Sequence, residues 1–359
     1  MTLDINQLER EFSTIKKRLG FEVIDTHVHP YDVMGVVHFS KHRLLADDYP
    51  SPQSMRKPGL LEALHYGALA NFLSRPVCRL MPNYVNSDIK SKFNLLSARS
   101  VLQEMDKAFV DRIILVPIEP WSKTAQIEND FKNSRFLKLG SIDVQNIAEA
   151  EIPKKLKIFK DEYGVVGIKL HPNLQNFHPQ PSLNESTMET KLKTLYSTME
   201  KLGLYLLIHG GVSFFTRLID TKYERVQRSR ILGRLSSFID RNGRSELFEN
   251  YSMPVIIAHL GSYGSLHVQM RLIEDICKRY RQVFFDTSGT NPYFTKKAIQ
   301  VVGASRIIFG SDAVYNCMLH NVLFTYAAVK SSTRALELDD SLTNVFSKNI
   351  LSVMRTVSI

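Results

Sequence analysis

Cysteine is scarce in this chain: three residues in 359, Cys78, Cys277 and Cys317, and no Cys-x-x-Cys pair. That excludes a disulfide framework and a thiolate zinc or redox motif, and it fits a reducing compartment. Equally missing is any apolar run near the ~20 residues needed to cross a bilayer; the longest, such as 204–208, have the length of strands. The first ten residues mix charged and apolar side chains and lack the apolar block of a secretory signal. No internal repeat, low-complexity tract or linker interrupts the chain. The expectation is a cytoplasmic protein folded as a single domain over 1–359, with no membrane partner.

Acidic charge is also in deficit. Forty-six Lys and Arg against 36 Asp and Glu leave a formal net charge of +10. Nucleic-acid modules interleave their basic residues with stacking aromatics, and no such repeat occurs, so the expected partner is a small molecule and not nucleic acid.

What the chain does have is 44% apolar residues arranged in short β-branched runs. Eight of them, at 22–26, 112–116, 136–142, 165–170, 204–208, 254–258, 283–286 and 306–309, end on polar residues or glycine. Continuous runs without alternation suit parallel strands covered on both faces. Helical patterns lie between them at 98–109, 152–162, 188–202, 266–279 and 294–302. Eight strand–helix alternations predict an α/β fold, a (β/α)₈ TIM barrel, with a doubly wound open sheet as the alternative. Two connections are long, 31–111 after the first strand and 210–253 after the fifth. Loops that follow strands form the catalytic face of a barrel, so these insertions are predicted to cap a site. The second carries Arg217, Arg225, Arg228, Arg230 and Arg234, which read as a solvated helix face. An amphipathic leading segment, Ile5–Leu19, is expected to seal the barrel bottom.

His27 and His29 stand two residues apart at the end of the first run, where the pleat aims both imidazoles the same way as Asp25. One His-x-His pair is a weak signal. Later runs, however, also finish on ligand-type residues: Lys169 and His171 after the fourth, His209 after the fifth, His259 after the sixth, Asp312 after the eighth. A parallel barrel gathers those ends into one ring, so the set predicts a metal site. His178 on the following loop, and Asp286, Ser288, Asn291 and Tyr315 near the last two strands, are pocket-lining positions; Asp286-Thr287-Ser288-Gly289 reads equally as a turn.

The segments Val23-Ile24-Asp25-Thr26-His27-Val28-His29-Pro30, Gly167-Ile168-Lys169-Leu170-His171-Pro172, Leu207-Ile208-His209-Gly210, Ile257-Ala258-His259-Leu260-Gly261, Phe285-Asp286-Thr287-Ser288-Gly289 and Ile308-Phe309-Gly310-Ser311-Asp312 together resemble the amidohydrolase superfamily, in its amidohydrolase-related branch of barrel hydrolases and decarboxylases. The resemblance spans residues 23–312, and 344–354 is similar to the family's closing helix. It implies that His27, His29 and His209 are imidazole ligands of a divalent metal and that Asp312 is both carboxylate ligand and proton acceptor. His259 would bind a second metal or polarise the substrate. Zn²⁺ suits three nitrogens and a carboxylate, with Mn²⁺ or Fe²⁺ also accommodated.

Lys169 divides the reading. As a carboxylated lysine it would bridge two metals; as an ammonium beside one ion, the favoured count, it would grip a substrate carboxylate, with His171 beside it in substrate binding. The implied function is a metal-dependent hydrolase in which a metal-activated water attacks an amide, ester or lactone of a small, anionic substrate. The alternative is a nonoxidative decarboxylase or carbon–carbon lyase of an unsaturated or aromatic carboxylic acid. Homodimers are common among such relatives and are compatible with this chain.

Overall fold

A computed structural model of the chain describes residues 4–33, 80, 82–93, 96–212, 231–263 and 268–356. Eight parallel strands follow one another around a ring in sequence order: β1 Ile24–Val28, β2 Arg112–Leu115, β3 Phe136–Ser141, β4 Gly167–Leu170, β5 Tyr205–Ile208, β6 Val255–Ile257, β7 Val283–Asp286 and β8 Ile307–Ile308. Backbone hydrogen bonds from Thr26 to Phe309 (3.1 Å) and from Asp312 to His27 (2.9 Å) join β8 back to β1. The barrel expectation holds and the open sheet falls. Each strand lies within the run that its sequence predicted, apart from β1, which begins and ends two residues later.

Alternation along each strand sorts side chains into an inner and an outer layer. Ile24, Ile114, Leu139, Tyr205, Leu207, Ile256 and Ile308 pack together as the barrel interior. Ile113, Leu115, Ile168, Leu206, Val255 and Ile257 belong to the larger cluster shared with the surrounding helices. Gly167 sits where Tyr205 fills the interior; a Cβ there would lie 2.7 Å from the Tyr205 carbonyl oxygen and 2.8 Å from its ring. The same inward phase carries Lys169 on β4, His209 just after β5 and Asp286 on β7 to the C-terminal end of the barrel.

Ile5–Leu19 is a helix capped by Asp4 and ended by Gly20 in the left-handed region. Its buried Phe12 meets Phe21, Phe109, Tyr326 and Phe346, so it docks beside the helix Met318–Ser332 that follows β8. The side chains that join the interior cluster come instead from the closing helix, through Ile350 and Val353. The expected seal is thus supplied by the last helix and not the first.

Of the two long connections, the described parts include helices Pro82–Phe93 and Ala98–Lys107 in the first and Glu246–Asn250 in the second. Phe93 packs its ring 4.9 Å from that of Tyr315, and Lys92 donates to the Tyr315 carbonyl oxygen at 2.7 Å. His38, His42, His65, His267, Cys78 and, of the five arginines named in the second connection, Arg217, Arg225, Arg228 and Arg230 lie outside the described residues. Among the described residues no helix is long and apolar enough to cross a membrane.

Candidate metal centre

His27 and His29 come from β1 and the residue after it, and both are buried. Their Nε2 atoms approach to 3.2 Å. Each Nδ1 is committed outward, His27 to the Asp286 carboxylate (2.9 Å) and His29 to the Val116 carbonyl oxygen (3.0 Å). A carbonyl or carboxylate oxygen accepts, so both rings carry their proton on Nδ1 and point a lone pair inward from Nε2. Burial holds both imidazoles far below their ordinary pKa, with the nearby Lys169 adding to the effect, so the rings are neutral.

Asp312 follows β8 in the left-handed region at φ 62°, and its Oδ1 lies 3.6 Å from His29 Nε2 and 3.9 Å from His27 Nε2. Burial raises its pKa well above the usual carboxylate value, against the pull of Lys169. Asp25 fixes the loop that carries it, accepting from the Ser311 backbone (2.9 Å), the Ser311 hydroxyl and the His27 backbone (3.1 Å). Burial pushes Asp25 up to about 7 in spite of those donors.

Lys169 reaches in from β4, with Nζ 3.2 Å from His27 Nε2. Desolvation lowers its pKa to about 8, against the opposing influence of Asp286 and Asp312. His259 sits in a left-handed turn at φ 58° directly after β6. Its Nδ1 is 2.9 Å from both the carbonyl oxygen and the hydroxyl of Ser288. The carbonyl can only accept, so His259 is also protonated on Nδ1 and keeps its Nε2 lone pair. The ring of His209 stacks on that of His171 at 3.8 Å and 11°, and its Nε2 is buried without a hydrogen-bond partner. Such an orphaned acceptor or donor in a dry site costs ~1–3 kcal/mol unless something binds it.

The structure therefore brings all seven predicted positions to one end of the barrel. Among the described residues, two sets of three have donor atoms mutually within 4.8 Å: His27, His29 and Asp312, and His27, His259 and Asp286. The first set converges lone pairs and a carboxylate, the donor chemistry of a divalent cation. The second includes the His27–Asp286 hydrogen bond, so Asp286 serves there as the outer partner that aims an imidazole. His209 belongs to neither set. His178 belongs to neither set either; its Nδ1 accepts from the Gln180 backbone at 3.2 Å.

Asp286 is the residue whose weight the sequence underplays. One carboxylate oxygen takes His27 Nδ1–H; the other takes the backbone N–H of His259 (2.7 Å), the backbone N–H of Ser288 (3.0 Å) and the Ser288 hydroxyl. It is fully buried. The inward phase of β7 was the available signal, the same phase that marks Lys169 and His209.

Fold and centre define a (β/α)₈ barrel with a histidine–carboxylate cluster at the C-terminal ends of its strands. The chain belongs to the amidohydrolase family, whose model matches residues 96–340. No curated protein matches it. Among solved structures it is similar to 5-carboxyvanillate decarboxylase LigW from Sphingomonas paucimobilis, with 15% identity, 93% of this chain and 99% of that one covered, and a TM-score of 0.54. It is similar to a probable 2-pyrone-4,6-dicarboxylic acid hydrolase from Acinetobacter baumannii with citric acid bound (13%, 93% and 99%, 0.51). A third is a dihydroxybenzoic acid decarboxylase from Polaromonas sp. JS666 with bound manganese and the inhibitor 2-nitroresorcinol (12%, 93% and 97%, 0.54). At these identities the likeness is one of fold.

Proposed function

We propose that this chain is a metal-dependent hydrolase acting on an amide, ester or lactone of a small anionic substrate, with one divalent ion held by His27, His29, His209 and Asp312. The observation that carries the reading is at His29 Nε2: a lone pair faced by the His27 lone pair at 3.2 Å and by a carboxylate oxygen at 3.6 Å. Three electron-rich atoms converge, and Lys169 Nζ, 3.2 Å from His27 Nε2, reaches only one of them; a shared cation satisfies all three. The orphaned His209 Nε2 supports the same reading. A bound Zn²⁺, or Mn²⁺ or Fe²⁺, supplies Lewis acidity to the reacting groups.

The protein's own part follows from its proton inventory. Asp312, buried and with its proton affinity raised, takes the proton of the attacking water and returns it to the leaving group. His259, locked with its proton on Nδ1, offers Nε2 as an acceptor, as a base or second ligand. Lys169 holds the substrate's carboxylate; a carboxylated Lys169 would instead raise the ion count to two. The caps built from 31–111 and 210–253 select the substrate.

Decarboxylation of an unsaturated or aromatic acid is the second reading, favoured by an apolar patch beside the centre. Val33, Ile118, Trp121 and Leu174 are buried together with Tyr315 packed on them, and the Tyr315 ring lies 5.7 Å from that of His29. Such a wall suits a flat apolar body.

Metal content per chain, measured after purification with and without bicarbonate, tests the proposal. One ion in both preparations supports it, two ions with a carbon dioxide adduct on Lys169 replace it with the bridged form, and a chain that binds none sinks it. A panel of esters, lactones and aryl carboxylates, assayed for acid release against carbon dioxide release, then separates the two chemistries.

A further inference from the structure

We infer that His171 is the fixed hydrogen-bond donor of this site, presenting Nε2–H to an anionic oxygen of the ligand while His27, His29 and His259 present lone pairs; this rests on the metal-dependent reading above. His171 follows β4 and caps the short turn Pro172–Gln175, its Nδ1 accepting the backbone N–H of Leu174 at 3.2 Å. An amide N–H can only donate. The ring therefore holds no proton on Nδ1, and its one proton is on Nε2. This is the reverse of the other three, whose Nδ1 atoms face oxygens that accept.

The consequence is a division of labour among look-alike rings. A ring that presents a lone pair can ligate a cation or accept a proton; one that presents N–H can do neither and instead stabilises negative charge on an oxygen. The polarising role that resemblance assigns to His259 therefore passes to His171. Capping alone does not require a histidine, since Asn, Asp or Ser serves that position best. The imidazole adds a flat face, stacked at 3.8 Å on His209, and a second nitrogen, for which the described residues provide no acceptor. His171 is also tied across the turn, its backbone N–H donating to the Gln175 side-chain Oε1 (2.9 Å) and its carbonyl accepting the Gln175 N–H (2.9 Å), so the donor is held in place before any ligand arrives.

Neutron diffraction from the perdeuterated wild-type protein reads the protons directly. The expected map has a deuteron on Nε2 and none on Nδ1 of His171, and the opposite at His27, His29 and His259; a deuteron on His171 Nδ1 overturns the inference. Benzoate, titrated calorimetrically into the zinc-loaded protein, tests the donor's use. His171→Asn keeps a capping oxygen and takes the donor N–H off the Nε2 position, and it is expected to weaken benzoate by about tenfold or more in samples that carry the same zinc content. Equal benzoate affinity in both proteins, or none for the wild type, overturns it. Zinc content measured on the same samples keeps the two readings apart: a chain without zinc sinks the metal proposal, while the neutron map still decides the proton positions.

Discussion

His27 and His29 face each other through Nε2 at 3.2 Å, each with its only proton already given away on the far side of the ring. Two neutral imidazoles in that pose repel, and the fold imposes it because β1 puts both on one side. The stability of this arrangement is therefore tied to what sits between them.

Binding of Zn²⁺ is expected to raise the melting temperature. At a free concentration a thousandfold above its dissociation constant the ion stabilises the native chain by about 4 kcal/mol. A chelator should reverse the rise. In His27→Gln the gap between loaded and stripped protein should shrink to near zero, and an equal gap in that variant, by differential scanning calorimetry, would show that the ion binds elsewhere.

Asp312 sits at φ 62°, a conformation that Asn adopts readily and Ala resists by about 1–2 kcal/mol. Asp312→Asn should keep the melting temperature of the stripped protein within a degree or two of wild type while lowering metal affinity at least tenfold and abolishing turnover. Asp312→Ala should lose the same functions and melt lower besides. Retained metal affinity in Asp312→Asn would remove this carboxylate from the ligand set.

Asp286→Asn replaces an acceptor on both sides with an acceptor on one. However the amide is turned, either His27 Nδ1–H or the cluster of His259 and Ser288 donors loses its partner. A drop of about 10–100-fold in metal affinity is expected, with about 1–3 kcal/mol of stability lost for the stranded buried donor. Denaturant titration and metal competition read the two effects separately, and an unchanged metal affinity would reduce Asp286 to a turn residue.

Much of this was legible in the sequence, for a physical reason. Strands covered on both faces are written as unbroken apolar runs, and a parallel barrel turns the residue after each run into a member of one ring. That logic found His27, His29, Lys169, His171, His209, His259 and Asp312 without reference to contacts. It left Asp286 undecided because Asp-Thr-Ser-Gly also spells a turn, and only the hydrogen bonds from His27 and His259 distinguish the two. The helix Met318–Ser332 gave no clear periodic signal because residues on several of its faces are buried, among them Met318, Val322, Leu323, Tyr326 and Val329. Which helix closes the barrel was likewise invisible: Ile5–Leu19 and the closing helix are both amphipathic, and Phe12 found its aromatic partners on the outside of the barrel.

That outer docking carries its own pH signature. Glu11 on the first helix pairs with Lys330 at 2.7 Å and accepts from Tyr326 at 3.3 Å on the helix after β8. The Lys330 hydrogen bond holds its carboxyl below the ordinary glutamate value of 4.5, against the opposing effect of burial. A carboxyl with a lowered folded-state pKa contributes stability that is fully present above its unfolded value and disappears as pH falls through the folded one. Glu11→Gln should therefore cost stability at pH 7 and converge with wild type as pH falls through the lowered folded-state value. The Lys330 and Glu11 side chains are part-exposed, so solvent screening keeps the difference under about 1 kcal/mol, and high salt should shrink it further. Urea titrations of both proteins at pH 7 and at low pH decide the matter. A difference that persists unchanged in acid would mean that Glu11 acts there through packing and not through charge.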